Sequence, residues 1–95
     1  MKIEWLPEAE RNLEGQLDYI AERNPAIAVE IGDAVHAAVA RLGRYPRSAR
    51  PGRVAGTREL VVTGTPFIVV YRVESAAVVI VRVLHGAQRW PPKRR

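Results

Sequence analysis

Ninety-five residues give room for one domain, and residues 1–95 are expected to form it. The chain has no cysteine, which excludes a disulfide framework and every cysteine-ligated zinc or iron–sulfur site. Hydrophobic residues make up 47% and charged residues 26%, which are globular proportions. No apolar run approaches the roughly 20 residues that span a bilayer. The opening MKIEWLPEAE carries no apolar signal core. The expectation is a soluble, unexported, cytoplasmic protein without a membrane partner.

Net charge is +5, and its distribution is uneven. Residues 1–33 hold eight acids and three bases, whereas residues 34–95 hold twelve bases and two acids. Thirteen of the fifteen bases are arginine. Arginine grips phosphate or carboxylate in a flat two-pronged geometry that lysine cannot match. A half this basic points to an anionic partner, nucleic acid or an acidic protein; a genome that encodes arginine freely would give the same composition.

Lys2–Trp5 alternates and reads as a first strand, with Ile3 and Trp5 on one face. Pro7 suits the first turn of a helix, and Glu8 and Glu10 sit at its positive end. Ala9, Leu13, Leu17 and Ile20 form its apolar stripe. Asn24 can cap a second helix starting at Pro25, with the stripe Ala28, Ile31, Val35, Ala38 or Val39, and Leu42. Gly43 ends it, so a helical hairpin is expected over about 7–43. Residues 44–57, with Arg44, Arg47, Arg50 and Arg53, read as an ordered basic loop, long enough to suggest function. A meander follows over 58–84: strands Arg58–Val62, Phe67–Val73 and Ala77–Leu84, joined by Thr63–Pro66 and Glu74–Ala76. Residues 85–95 form a basic tail with Trp90. The fold class is α+β, a helical hairpin on one face of a mainly antiparallel sheet.

A two-residue turn at Ser75-Ala76 would pair Tyr71 with Ile80, Val69 with Arg82 and Phe67 with Leu84. One face then carries Arg58, Leu60, Val62, Phe67, Val69, Tyr71, Val73, Val78, Ile80, Arg82 and Leu84. The other carries Glu59, Val61, Ile68, Val70, Arg72, Val79, Val81, Val83 and His85. Its nearly unbroken Val/Ile block is the expected seat of the helices. The first face would stay open as a binding surface, with Arg58 and Arg82 roughly 10 Å apart.

The strings Arg58-Glu59-Leu60, Thr65 to Val73, and Val81 to Pro91, with the opening Trp5, Pro7-Glu8-Ala9, Leu13, Asp18-Tyr19-Ile20 and Asn24-Pro25, are familiar. Over nearly the whole chain the sequence resembles the RelE/ParE superfamily of type II toxin–antitoxin toxins. The resemblance implies growth arrest, plasmid stabilisation and neutralisation by a cognate antitoxin in a hetero-oligomer, with no cofactor and no metal. RelE-type members are metal-independent endoribonucleases acting on ribosome-bound mRNA. For that chemistry the resemblance points to Arg58 and Arg82 as charge stabilisers and His85 as acid or base. The tail, however, has no Tyr and the basic loop no Lys. The ending Leu84 to Trp90 looks more like the ParE branch, whose members poison DNA gyrase without cutting RNA. That reading makes Arg58, Arg82, Arg89 and Trp90 target-binding residues, aided by Lys93, Arg94 and Arg95. The antitoxin is expected on the open face, at Leu60, Phe67, Val69, Tyr71 and Ile80.

Plainer roles exist for several of these residues. A lone His85 after a strand can be structural, and His36 on a helix reads as a surface residue. Glu59 among arginines reads as an ion-pair partner, and Trp90 can pack over the sheet edge. The chain has no Gly-rich phosphate loop, nucleophile elbow or metal cluster.

Overall fold

A computed structural model describes residues 1–86 and 88–92. The chain runs β1 (Lys2–Trp5), α1 (Pro7–Ala21), α2 (Pro25–Leu42), β2 (Arg50–Pro51), β3 (Arg58–Val61), β4 (Phe67–Val73) and β5 (Ala77–His85). The five strands form one sheet in the order β1-β5-β4-β3-β2. Only the β1–β5 pairing is parallel. The α+β architecture expected from the sequence is therefore present, with a two-residue strand inside the basic loop.

The helices begin where the chain chemistry places them. Pro7 and Pro25 occupy first-turn positions, where their missing N–H groups are not needed. The Asn24 side chain accepts a hydrogen bond from the Ile27 N–H at 3.2 Å, capping α2. At the other end, the Met1 ammonium donates to the Gly43 carbonyl at 2.6 Å, tying the chain start to the end of α2. The two helices approach closely at Gly32: a Cβ there would lie 3.2 Å from Leu17 Cδ1.

The β3–β4 register agrees with expectation, with Arg58 opposite Tyr71 and Leu60 opposite Val69. The β4–β5 register begins as expected, with Tyr71 opposite Ile80, and then shifts by one. Val70 faces Arg82, Val69 faces Val83 and Phe67 faces His85, which makes Val81 an extra residue in β5. The expected Val69–Arg82 and Phe67–Leu84 pairs do not form. Arg82 and Leu84 move to the second face, and Val83 joins the first.

That bulge also decides which face the helices cover. The core beneath them contains Leu60, Val62, Phe67, Val69, Tyr71, Val73, Val78, Ile80 and Val83, so the expected sides are reversed. With Arg82 removed, the first face is apolar except at its margins, where Arg58 and His85 stand. The helices meet it with Ala9, Leu13, Val35, Ala38, Val39 and Leu42, and the large Phe67 and Tyr71 pack among them. Phe67, Val69, Tyr71 and Ile80 are at most 1% exposed, and Leu60 packs against the same core. These five residues are core, not an open antitoxin surface.

β1 ends at Trp5, opposite Ile80, so among the described residues no strand lies on the outer side of the distal half of β5. Helix α1 takes that place. The Val83 N–H donates to Asn12 Oδ1 at 3.3 Å, and Gln16 Nε2 donates to the Val83 carbonyl at 3.4 Å. The edge groups that would otherwise invite another strand are thereby occupied. Among the described residues, no helix is long and apolar enough to cross a membrane.

The face assignment predicts opposite outcomes for two substitutions. Ile80→Asp places a charge in the core and costs several kcal/mol, comparable with the whole stability of about 5–15 kcal/mol. It should abolish the cooperative thermal transition read by circular dichroism. Val61→Asp, on the second face at 52% exposure, should shift stability by no more than about 0.5 kcal/mol.

Candidate functional site

The second face of the sheet brings the basic loop, β5 and the tail together, and Glu59 organises its loop side. Glu59 projects from β3 and is 2% exposed. One carboxylate oxygen accepts the Arg53 backbone N–H at 2.8 Å. Arg53 Nε donates to both oxygens at 3.1 and 3.2 Å, and a guanidinium nitrogen of Arg50 lies 3.3 Å from Oε1. Burial by itself pushes this carboxyl up. The Arg53 hydrogen bonds and charge and the Arg50 hydrogen bond outweigh it, so Glu59 is held below the usual carboxylate value of 4.5. The residue is an ion-pair partner, as its surroundings in the sequence suggest, but it is buried rather than outward.

The clamp folds Arg50–Arg53 toward the sheet. A pocket of about 340 Å³ results, lined by Arg50, Pro51, Arg53, Glu59, Ile68 and Gly86. The other end of the loop is pinned from the first face. One Arg58 guanidinium nitrogen donates to the Ala49 carbonyl at 2.8 Å and to the Arg47 carbonyl at 3.4 Å. The Tyr71 hydroxyl donates to the Pro46 carbonyl at 2.8 Å. Burial pushes the Tyr71 phenol up, partly offset by the Ala49 backbone and the Arg58 charge, so Tyr71 stays a neutral donor.

Arg82 organises the tail side. One guanidinium nitrogen lies 3.2 Å from Glu8 Oε1 and another donates to the Val81 carbonyl at 2.8 Å. The guanidinium carbon sits 5.8 Å from the centre of the Trp90 ring, a cation–π contact. Trp90 is half-buried, and its Nε1 has no hydrogen-bond partner among the described residues. Arg89 beside it is exposed. Ala87 and the basic residues Lys93, Arg94 and Arg95 lie outside the described residues.

Arg58, Arg82 and His85 do not converge. Arg58 is on the helix-facing side, opposite Tyr71, whereas Arg82 is on the second face, opposite Val70. His85 stands opposite Phe67, edge-on to its ring at 6.2 Å. Tyr71 and Phe67 are four residues apart, about 14 Å along the strand. The Arg58–Arg82 pair expected on one face is therefore absent, because the bulge turns Arg82 away. His36 is exposed, as expected, with its ring 5.4 Å from that of Trp5.

Two contributors escaped sequence reading. Glu8 fits the charge preference of a helix start, and nothing local marks it as the partner of a residue 74 positions later. The Arg53 contact to Glu59 was signalled only by a carboxylate lying among arginines.

Glu59→Gln keeps the shape but loses the charge that Arg50 and Arg53 share. It should cost about 1–2 kcal/mol at neutral pH, measured by urea unfolding. A carboxyl with a lowered folded-state pKa stabilises fully above its unfolded value and loses that contribution as pH falls through the folded one. The gap between wild type and Glu59→Gln should therefore close progressively below pH 4.5.

Comparison with known proteins gives this geometry a family. The profile described as the ParE toxin of the type II toxin–antitoxin system parDE matches residues 3–90. A protein of Sinorhizobium fredii (strain NBRC 101917 / NGR234), Y4kP, provisionally described as a toxin, is 40% identical over 90 residues, covering 95% of this chain and 93% of that protein. The fold is shared with a chromosomal ParDE TA system from P. aeruginosa, at a TM-score of 0.80 and 24% identity over 87% of this chain and 92% of the other. The toxin–antitoxin complex RelBE2 from Mycobacterium tuberculosis is similar at a TM-score of 0.58 and 26% identity, covering 92% of each chain. The chain belongs to the ParE toxin family of type II toxin–antitoxin systems.

Proposed function

We propose that this protein arrests growth by acting on DNA gyrase and that a cognate antitoxin neutralises it. The observation that carries this reading is the separation of Arg58, Arg82 and His85. An RNA-cleaving centre needs its cationic stabiliser and its proton donor on one phosphate. Here Arg58 is spent on the carbonyls of Arg47 and Ala49, and Arg82 is held by Glu8 and Trp90 on the other face. A gyrase poison needs a binding surface rather than a reacting one. Arg82, Trp90 and exposed Arg89 form an aromatic, cationic surface suited to an anionic or nucleoprotein target. An antitoxin partner is supported by family membership and by the toxin–antitoxin systems named for the two structural relatives.

The purified toxin should be incubated with gyrase and supercoiled DNA, and separately with translating ribosomes. Linear DNA should accumulate in the first reaction, and mRNA should remain intact in the second. Arg82→Ala and a chain ending at Gly86 should both lower gyrase poisoning in a salt-dependent way. Their effects should overlap, because both act through the tail that Arg82 holds. Cut mRNA, with about a 10²–10³-fold loss in Arg82→Ala, would replace this reading with a ribosome-dependent endonuclease.

A further inference from the structure

Helix α1 carries a feature that lies outside the surface proposed for gyrase. A pocket of about 430 Å³ opens between the two helices and the end of β1, lined by Trp5, Leu13, Glu10, Glu14 and His36. Leu13 is buried and Trp5 half-buried, so its inner wall is apolar. The Trp5 and His36 rings stand 5.4 Å apart at 48°, and so form an aromatic side. Glu10 and Glu14 are exposed on its rim, one helical turn apart. Neither carboxylate has an ion pair or hydrogen bond to another side chain among the described residues, although Lys2, Arg50, Arg53, Arg72 and Arg82 are each paired with an acid. Like charges at this spacing repel by about 0.2–0.5 kcal/mol, and no side-chain ion pair among the described residues relieves it.

An apolar wall, a pair of rings and two unpaired carboxylates have one complementary partner chemistry. We infer that this pocket receives an arginine side chain from a partner protein. The aliphatic stem would lie on Leu13 and Trp5, the planar guanidinium would stack on the Trp5 and His36 rings, and its forked donors would bridge Glu10 and Glu14. A lysine ammonium fits less well, because it neither stacks nor forks. The surrounding charge agrees: residues 1–33 carry a net −5, so a cationic segment is attracted to this side and repelled by the basic loop and tail. The inference holds for either target class proposed above.

The probe is acetyl-Gly-Arg-Gly-amide, with the citrulline peptide as its uncharged isostere, titrated into the full chain and followed by NMR. Shifts should concentrate at the Trp5 indole and the His36 ring. Binding should weaken about tenfold for the citrulline peptide and for the Glu10→Gln/Glu14→Gln variant. Both carboxylates are exposed, so that variant should fold as the wild type does. Equal binding of the two peptides would overturn the inference, as would shifts spread over Asp18, Glu22, Glu30 and Asp33, or unchanged binding in the double variant. Salt-sensitive self-association of the free chain that the double variant abolishes would also overturn it, since the occupant would then be a second copy's arginine.

Discussion

One extra residue in β5 decides where the protein keeps its charge. Without Val81 as a bulge, Arg82 would stand opposite Val69 under the helices, and the sheet could not bury that face. With it, Val83 packs into the core and Arg82 turns outward, where Glu8 and Trp90 meet it. The bulge lies just past the point where β1 ends and α1 takes over the edge of β5 through Asn12 and Gln16. Core composition, edge protection and the anchoring of the tail therefore all depend on the same irregularity.

The basic loop shows a second use of charge. Glu59 gathers Arg50 and Arg53 on one face while Arg58 and Tyr71 hold the loop's carbonyls from the other. Buried ion pairs are weak evidence for stability, since desolvation cancels much of the attraction. Here the carboxylate is 1% exposed while its arginines remain 45% and 57% exposed, so one charge is withdrawn from water and the others stay largely solvated. Such a pair fixes the path of the loop at modest cost. It also consumes arginines that composition alone would count as free to bind an anion.

Local chemistry was legible in the sequence wherever short-range rules decide. Pro7, Asn24-Pro25 and Gly43 mark the helix ends, and the Thr63–Pro66 turn sets the β3–β4 register. The reversal of the faces was not legible, because Ala77–Leu84 is apolar throughout except for Arg82, so no polar–apolar alternation marks the one-residue shift at Val81. For the candidate site, the sequence offered Arg58, Arg82, His85, Arg89 and Trp90 but not their grouping. The Arg82–Trp90 contact joins two of them, and a pairing that depends on a one-residue shift cannot be counted from spacing.

The pairing of β5 with β4 is the most direct point of test. Cross-strand nuclear Overhauser contacts in the isotopically labelled chain distinguish the two registers. The account predicts backbone contacts of Val83 with Val69 and of Arg82 with Val70, together with side-chain contacts between Arg82 and the Trp90 ring. Contacts of Arg82 with Val69 would contradict it, and would return Arg58 and Arg82 to a shared face where an RNA-cleaving site could be assembled.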